Sequence, residues 1–221
     1  MSRLLLIVSL AAAAAGFAQE STTPRFAAAI DAFVAADRTA PPPQKGILFI
    51  GSSIFRQWTT VAEDMSPLPA FNRAFGGSRT ADILAHMDRV VLPYDPKVIV
   101  YYCGSNDINA DVKPEAIAAN FRTFVERVHR KLPETKVLYV SINRAPQKRD
   151  RWPDVDAANR LIGEYCKSDA RLKFVDVNPA LFDAQGEPRT ELYVKDQLHF
   201  KAPAYREFTR IIRPAVEAAW R

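Results

Sequence analysis

Residues 45–58 read KGILFIGSSIFRQW, an apolar run that stops on Gly51, Ser52 and Ser53. A turn accounts for the glycine and one serine, which leaves the second hydroxyl available as a reactive group. Three further stretches hold what such a hydroxyl would need. Gly76, Gly77 and Ser78 stand in AFGGSRT, Asn106 and Asp107 in GSNDI, and Asp196 and His199 in KDQLHF. A serine, a glycine turn, an amide and an Asp-x-x-His pair are the parts of an acyl-transfer site. The hydroxyl needs a base, the base needs an orienting carboxylate, and a tetrahedral oxyanion needs preorganised donors. Other chemistries leave less trace. There is no Gly-x-Ser-x-Gly elbow and no His-Glu-x-x-His or Cys/His cluster for zinc. AFGGSRT lacks the spacing of a dinucleotide fingerprint, and no Walker lysine follows it. Neither a metal nor an organic cofactor is expected.

These pieces can act together only if the fold brings them to one place. Apolar runs at 47–51, 70–75, 97–103, 136–142 and 172–177 alternate with helical patterns at 79–91, 114–131, 154–167 and 202–219. A further helix is expected at 24–37, where Phe26, Ile30 and Phe33 recur at helical spacing. The proline-rich TAPPPQKG (39–46) separates it from the rest. Most of the strand-like runs are continuously apolar, as parallel strands covered on both faces are. The alternation predicts a three-layer α/β/α sandwich around a mainly parallel five-stranded sheet. Ligands of such sheets collect at the C-terminal ends of the strands, which is where the reactive stretches fall.

Taken in order, FIGSSIF, NRAFGGSRT, GSNDI and DQLHF resemble the SGNH (GDSL-type) hydrolase family over residues 46 to about 200. The resemblance implies a flavodoxin-like fold and a serine esterase. It implies Ser53 as nucleophile and Asp196 and His199 as orienter and base. Gly77 and Asn106, with the N–H of Ser53, would be the oxyanion donors. Two positions depart from the family pattern. Ser52 replaces the usual aspartate before the nucleophile, and Gln197 and Leu198 stand where a glycine is common between the final Asp and His.

The residues can be weighed without the family. Only three histidines exist. His86 and His129 fall inside helical patterns, whereas His199 stands in a loop with an aspartate three positions before it. Such a turn lets the carboxylate hold one imidazole nitrogen while the other faces the serine. Ser52, Ser53, Ser78 and Ser105 all fall at strand ends, and adjacent residues of a strand point to opposite faces. Ser52 and Ser53 therefore cannot both face a site. Ser53 is favoured because it opens SIFRQW, a plausible helix start whose amides could help hold an oxyanion. Gly76 is the alternative to Gly77, and Asn106 has a plainer reading as a loop cap.

The N-terminus, MSRLLLIVSLAAAAAGFAQE, has a basic start, an apolar run and small residues at Gly16 and Ala18. It reads as a signal peptide over 1–18, leaving one domain over 19–221. A periplasmic or secreted protein without stable membrane insertion is expected. The net charge of +5 is interspersed, and RAPQKRDRW (144–152) is the one basic cluster. Interrupted by Asp150, it reads as a solvated loop and not a nucleic-acid surface. Its Arg144, Lys148, Arg149, Arg151 and Trp152 offer a polar, aromatic face for a sugar or an anionic leaving group. Cys103 and Cys166 read as buried fillers, not a disulfide. The expected partner is a small-molecule ester, a short-chain acyl ester such as an acetylated carbohydrate. The rival readings are a lysophospholipase or thioesterase of the same family and a non-catalytic α/β binding domain. Oligomeric state is left open.

Overall fold

The computed structural model describes residues 25–221; the expected signal peptide lies outside the described residues. Five strands form one all-parallel sheet in the order β2-β1-β3-β4-β5. They are β1 (Ile47–Gly51), β2 (Ala70–Asn72), β3 (Val98–Tyr102), β4 (Lys136–Val140) and β5 (Leu172–Val175). Every residue of β1 and β3 is buried, which explains why these runs carry no polar alternation.

Side chains of alternating strand residues divide between two cores. Leu48, Ile50, Ile99, Tyr101, Val137 and Tyr139 face α1 (Ala27–Thr39), α4 (Thr80–Val90), α6 (Pro114–Lys131) and α7 (Trp152–Cys166). Ile47, Phe49, Val100, Tyr102 and Val140 face α2 (Ser53–Arg56), α3 (Val61–Asp64) and α8 (Ala202–Trp220). The long helices present one apolar stripe each. In α8 the stripe is Tyr205, Phe208, Ile212 and Val216, at steps of three and four. The three-layer prediction holds, and the sheet is wholly parallel.

Element ends differ from the sequence expectation where polar side chains capture backbone. β2 stops at Asn72, not at residue 75, because Asn72 turns the chain. Its Nδ2 donates to Phe55 O at 2.6 Å and its Oδ1 accepts from Ala74 N at 2.9 Å. A short α5 (Ser105–Asn109) follows β3 directly, and its five residues are too few to show a period. Cys103 and Cys166 are both buried and free.

The register gathers the strand ends. Gly51 pairs with Tyr102, Ser52 N donates to Tyr102 O at 3.1 Å, and Phe75 N donates to Gly51 O at 2.9 Å. Gly51 has φ of 155°, and a Cβ there would lie 1.9 Å from Tyr102 O. No side chain fits unless the two strands separate. Gly51→Ala is therefore expected to lose about 3 kcal/mol or more of stability, read from the midpoint of urea unfolding. An unchanged midpoint would mean that the strand end can shift to admit a side chain.

Candidate active site

β1 hands the chain to α2 at Ser52 and Ser53, and the two serines part company there. Ser52 is 1 % exposed and its Oγ has no hydrogen-bond partner. Ser53 is half-buried and lines a pocket of about 360 Å³. The passage from extended backbone at Ser52 to helix at Ser53 thus puts one hydroxyl inside the protein and the other in the pocket. Two more strand-end serines are also engaged elsewhere. Ser78 Oγ donates to Gly51 O at 3.2 Å, and Ser105 Oγ accepts from Lys148 at 2.6 Å.

His199 Nε2 lies 2.8 Å from Ser53 Oγ, and His199 Nδ1 lies 2.6 Å from Asp196 Oδ2. An ionised carboxylate can only accept, so Nδ1 carries the proton and Nε2 is free to accept from the serine hydroxyl. The turn that holds the pair is built from backbone. Asp196 Oδ1 accepts from the N–H groups of Leu198 and His199, both at 2.9 Å. Val194 N donates to His199 O at 2.8 Å, and Tyr193 bridges Phe200. Gln197 takes φ of 58°, the left-handed region where glycine is the easier residue. A glycine is common between the final Asp and His of the family pattern, and here the turn keeps a left-handed residue at Gln197 instead. Desolvation pushes the Asp196 carboxyl up. The hydrogen bonds from the His199 ring and from the His199 and Leu198 backbone outweigh it, holding the group down to about 2. Asp196 therefore stays an anion across the working pH range.

Gly77 and Asn106 line the same pocket as Ser53 and His199. Among the described residues, the N–H groups of Ser53 and Gly77 donate to no protein acceptor. Asn106 Nδ2 donates to Ser78 O at 3.0 Å, which fixes the amide and leaves its second proton for a ligand. Ser53 N–H, Gly77 N–H and the Asn106 amide are thus three donors on residues that line one pocket, the candidate set for an oxyanion. His86 and His129 stand apart. Their Nε2 atoms meet Arg25 O at 3.1 Å and Thr135 O at 3.0 Å.

The short α5 that carries Asn106 is held by two buried groups that the sequence did not single out for this task. Asp107 accepts from Thr80 N at 3.0 Å and Thr80 Oγ1 at 2.6 Å, and burial raises its pKa despite those bonds. Lys148, 2 % exposed, donates to Ser105 O at 3.0 Å as well as to its Oγ. No carboxylate pairs with Lys148 among the described residues. Burial, helped by nearby Arg151, lowers its pKa to about 8. A basic residue in an irregular loop gives no sign of burial in sequence.

The loop 144–152 is a correction in another respect. Its cations are spent on neighbours. Arg144 pairs with Asp156, Arg149 with Glu187, and Arg151 with Asp111 and Asp154. Trp152 donates its indole N–H to Ala145 O at 2.9 Å and meets Phe182 edge-on. None of these residues lines the pocket at Ser53. Arg144 instead borders a larger cavity, about 1110 Å³, between α7 and the β5 edge. That cavity contains no serine–histidine pair, so size does not mark the reactive site.

The model of the GDSL-like Lipase/Acylhydrolase family matches residues 49–207. No curated protein matches the sequence. Among solved structures, a protein provisionally named an acylhydrolase from Bacteroides fragilis is 20% identical with a TM-score of 0.75. The match covers 86% of this chain and 97% of that one. A GDSL-like lipase from Bacteroides thetaiotaomicron is 19% identical with a TM-score of 0.70, covering 86% and 98%. An acetylxylan esterase from Geobacillus stearothermophilus is 14% identical with a TM-score of 0.65, covering 77% and 93%. At such identities the likeness speaks for the fold.

Ser53→Ala is expected to cut turnover of 4-nitrophenyl acetate by about 10⁴-fold or more, and Asn106→Ala by about 10²–10³-fold. Ser52→Ala, which removes only an unpartnered buried hydroxyl, should keep most of the activity. A dead Ser52→Ala beside an active Ser53→Ala would reverse the assignment. For Lys148 the test is stability against pH. Below about pH 8 the buried ammonium costs the folded state. Between there and the ordinary lysine range the unfolded chain binds more protons than the native one, so stability rises with pH. Wild type relative to Lys148→Met should gain about 1–3 kcal/mol from about pH 8 to 10, measured by urea unfolding. A difference that stays flat would place the ammonium in water.

Proposed function

The chain belongs to the GDSL-like lipase/acylhydrolase family and is an ester-hydrolysing serine hydrolase, and from that premise we propose an exported esterase that cleaves short-chain carboxylic esters through an acyl-enzyme. The observation that carries the proposal is the hydrogen-bonded line from Ser53 Oγ through the His199 imidazole to Asp196. In the proposed reaction Ser53 Oγ attacks the ester carbonyl carbon while its proton passes to His199 Nε2. The carbonyl oxygen becomes an oxyanion held by Ser53 N–H, Gly77 N–H and the Asn106 amide. Collapse breaks the C–O bond to the alcohol, which leaves with the proton from Nε2. Water then repeats the sequence on the acyl-enzyme and releases the acid. Asp196 fixes the imidazole tautomer and stabilises the imidazolium formed in each half.

A short acyl group is supported by the character of the pocket. Among the described residues, Leu198 is the only apolar side chain of any size in its lining, beside Ser53, Arg56, Gln57, Asn106 and His199. Each methylene withdrawn from water is worth about 0.8 kcal/mol, and one leucine cannot shield a long chain. The acetylxylan esterase among the structural neighbours is consistent with acetyl transfer to water, and an acetylated carbohydrate is the leading candidate substrate. Export rests on the signal-like residues 1–18. No helix among the described residues is long and apolar enough to cross a membrane.

A chain-length series of 4-nitrophenyl esters tests the acyl preference. The rate should be greatest for acetyl or butyryl and fall steadily beyond. An optimum at about eight or more acyl carbons would replace this reading with a lysophospholipase. The covalent step is checked by mass spectrometry after treatment with an organophosphorus probe, which should modify Ser53 once. A chain that hydrolyses esters without ever being modified there would exclude the acyl-enzyme.

A further inference from the structure

The pocket at Ser53 contains one full charge that ester cleavage itself does not use. Arg56 closes α2 three residues after Ser53, on the same helix face, and it lines the pocket. Its guanidinium lies across Gly76. A Cβ on Gly76 would fall 2.6 Å from Arg56 Nε and 3.3 Å from its Cζ. Gly77 needs a glycine for its φ of 79°, but Gly76 does not adopt a left-handed φ. What Gly76 provides is room: the missing side chain is the space the guanidinium occupies.

Neighbouring arginines are already committed. Arg25 donates to Gly77 O at 2.9 Å and pairs with Asp82 at 3.5 Å, and Arg79 reaches Asp82 at 3.9 Å. Arg56 is exposed; its backbone N–H donates to Ser52 O, but among the described residues its guanidinium has neither an ion pair nor a hydrogen bond. Among the described residues, no carboxylate lines the pocket to neutralise it. Asp196 stands behind the imidazole, with its oxygens occupied by His199 and Leu198. The pocket is therefore electropositive on the side of the Gly76–Gly77 turn, and a guanidinium presents a planar fork of donors matched to carboxylate and phosphate oxygens.

We propose that Arg56 forms an anion-binding subsite beside Ser53, and that the preferred ester carries a carboxylate or phosphate group within a few bonds of the scissile carbonyl. The inference rests on the esterase reading above. An exposed arginine gains little from a partner in open water. A substrate seated in the pocket removes that water and strengthens the pair, so the charge selects for ligands that fill the site. With acetyl as the acyl group, an acetyl ester of an acidic sugar or of a sugar phosphate satisfies both demands.

The experiment uses matched esters that differ in charge. Relative kcat/KM is measured for 3-acetoxybenzoate against neutral 3-acetoxybenzamide, and for 3-acetoxyphenyl phosphate against the same neutral ester. Intrinsic leaving-group differences cancel when each ratio is compared between wild type and variant. In Arg56→Ala and Arg56→Gln, at least one anionic-to-neutral ratio should fall about tenfold, the loss expected for a hydrogen bond to a charged group. Arg56→Lys should restore part of it. The wild-type ratio should also shrink with added salt. The anion whose ratio falls further identifies the carboxylate or the phosphate as the recognised group. Ratios that stay unchanged in folded Arg56→Ala and Arg56→Gln overturn the subsite while leaving the esterase intact. A wild type that hydrolyses none of the three esters would instead count against the esterase reading itself.

Discussion

The close pairing of Gly51 with Tyr102 determines where everything else in the site can stand. Parallel strands end on one rim, but ending there does not bring side chains within hydrogen-bond reach. At this pair the two backbones approach so closely that no Cβ is admitted. Ser52 N then continues the ladder to Tyr102 O, and Gly51 O accepts from Phe75 N. Three connections therefore leave the sheet from nearly one point: the start of α2, the Gly76–Gly77 turn and the start of α5, which carries Asn106. The candidate oxyanion donors and the candidate nucleophile inherit their spacing from sheet register, which is buried. The imidazole comes from elsewhere, on a turn anchored by the Tyr193–Phe200 bridge and by α8, whose Tyr205 hydroxyl donates to Ile54 O at 2.9 Å.

The candidate site is local in some of its parts and distant in others, and that division governs how it is built. Asp196 and His199 need only a turn of a few residues, closed by the carboxylate's own hydrogen bonds to backbone. Ser53 and His199 are 146 positions apart, and their contact depends on the whole sheet and on α8. Lys148 and Asp107 occupy the ground between. Each is a polar group buried beside Asn106, satisfied by hydrogen bonds that hold backbone in place.

Much of this was legible in the residues. Continuous apolar runs alternating with helical stripes announced the layered fold, because each strand is covered on both faces. Loop position separated His199 from His86 and His129, and the helix start at Ser53 separated it from Ser52. What escaped was of a different kind. The burial of Lys148 could not be read, since a lysine in RAPQKRDRW looks solvated until Ser105 is known to lie over it. The same blindness made Arg144, Arg149 and Arg151 look available to a substrate, when partners remote in sequence, such as Asp111 and Glu187, hold two of them. Asn72 ended β2 early through a side-chain contact with Phe55 O, again a meeting that local pattern does not encode. Residue type and period reveal elements; the pairing of surface charges is a property of the assembled chain.

The Asp196–His199 turn has a mechanical consequence. Because carboxylate and imidazole ride on one short segment whose internal hydrogen bonds close on themselves, they move as a single rigid arm. Thermal motion can swing that arm, but it cannot easily alter the geometry within it. The site then has one soft coordinate, the gap between arm and hydroxyl, and that gap is spanned by a contact whose loop-closure entropy is large. Its stiffness is lent by α8 and the Tyr193–Phe200 clasp. Tyr193, Phe200 and the α8 stripe belong to one core, so loosening either would uncouple the arm and open that core while the opposite one stayed packed.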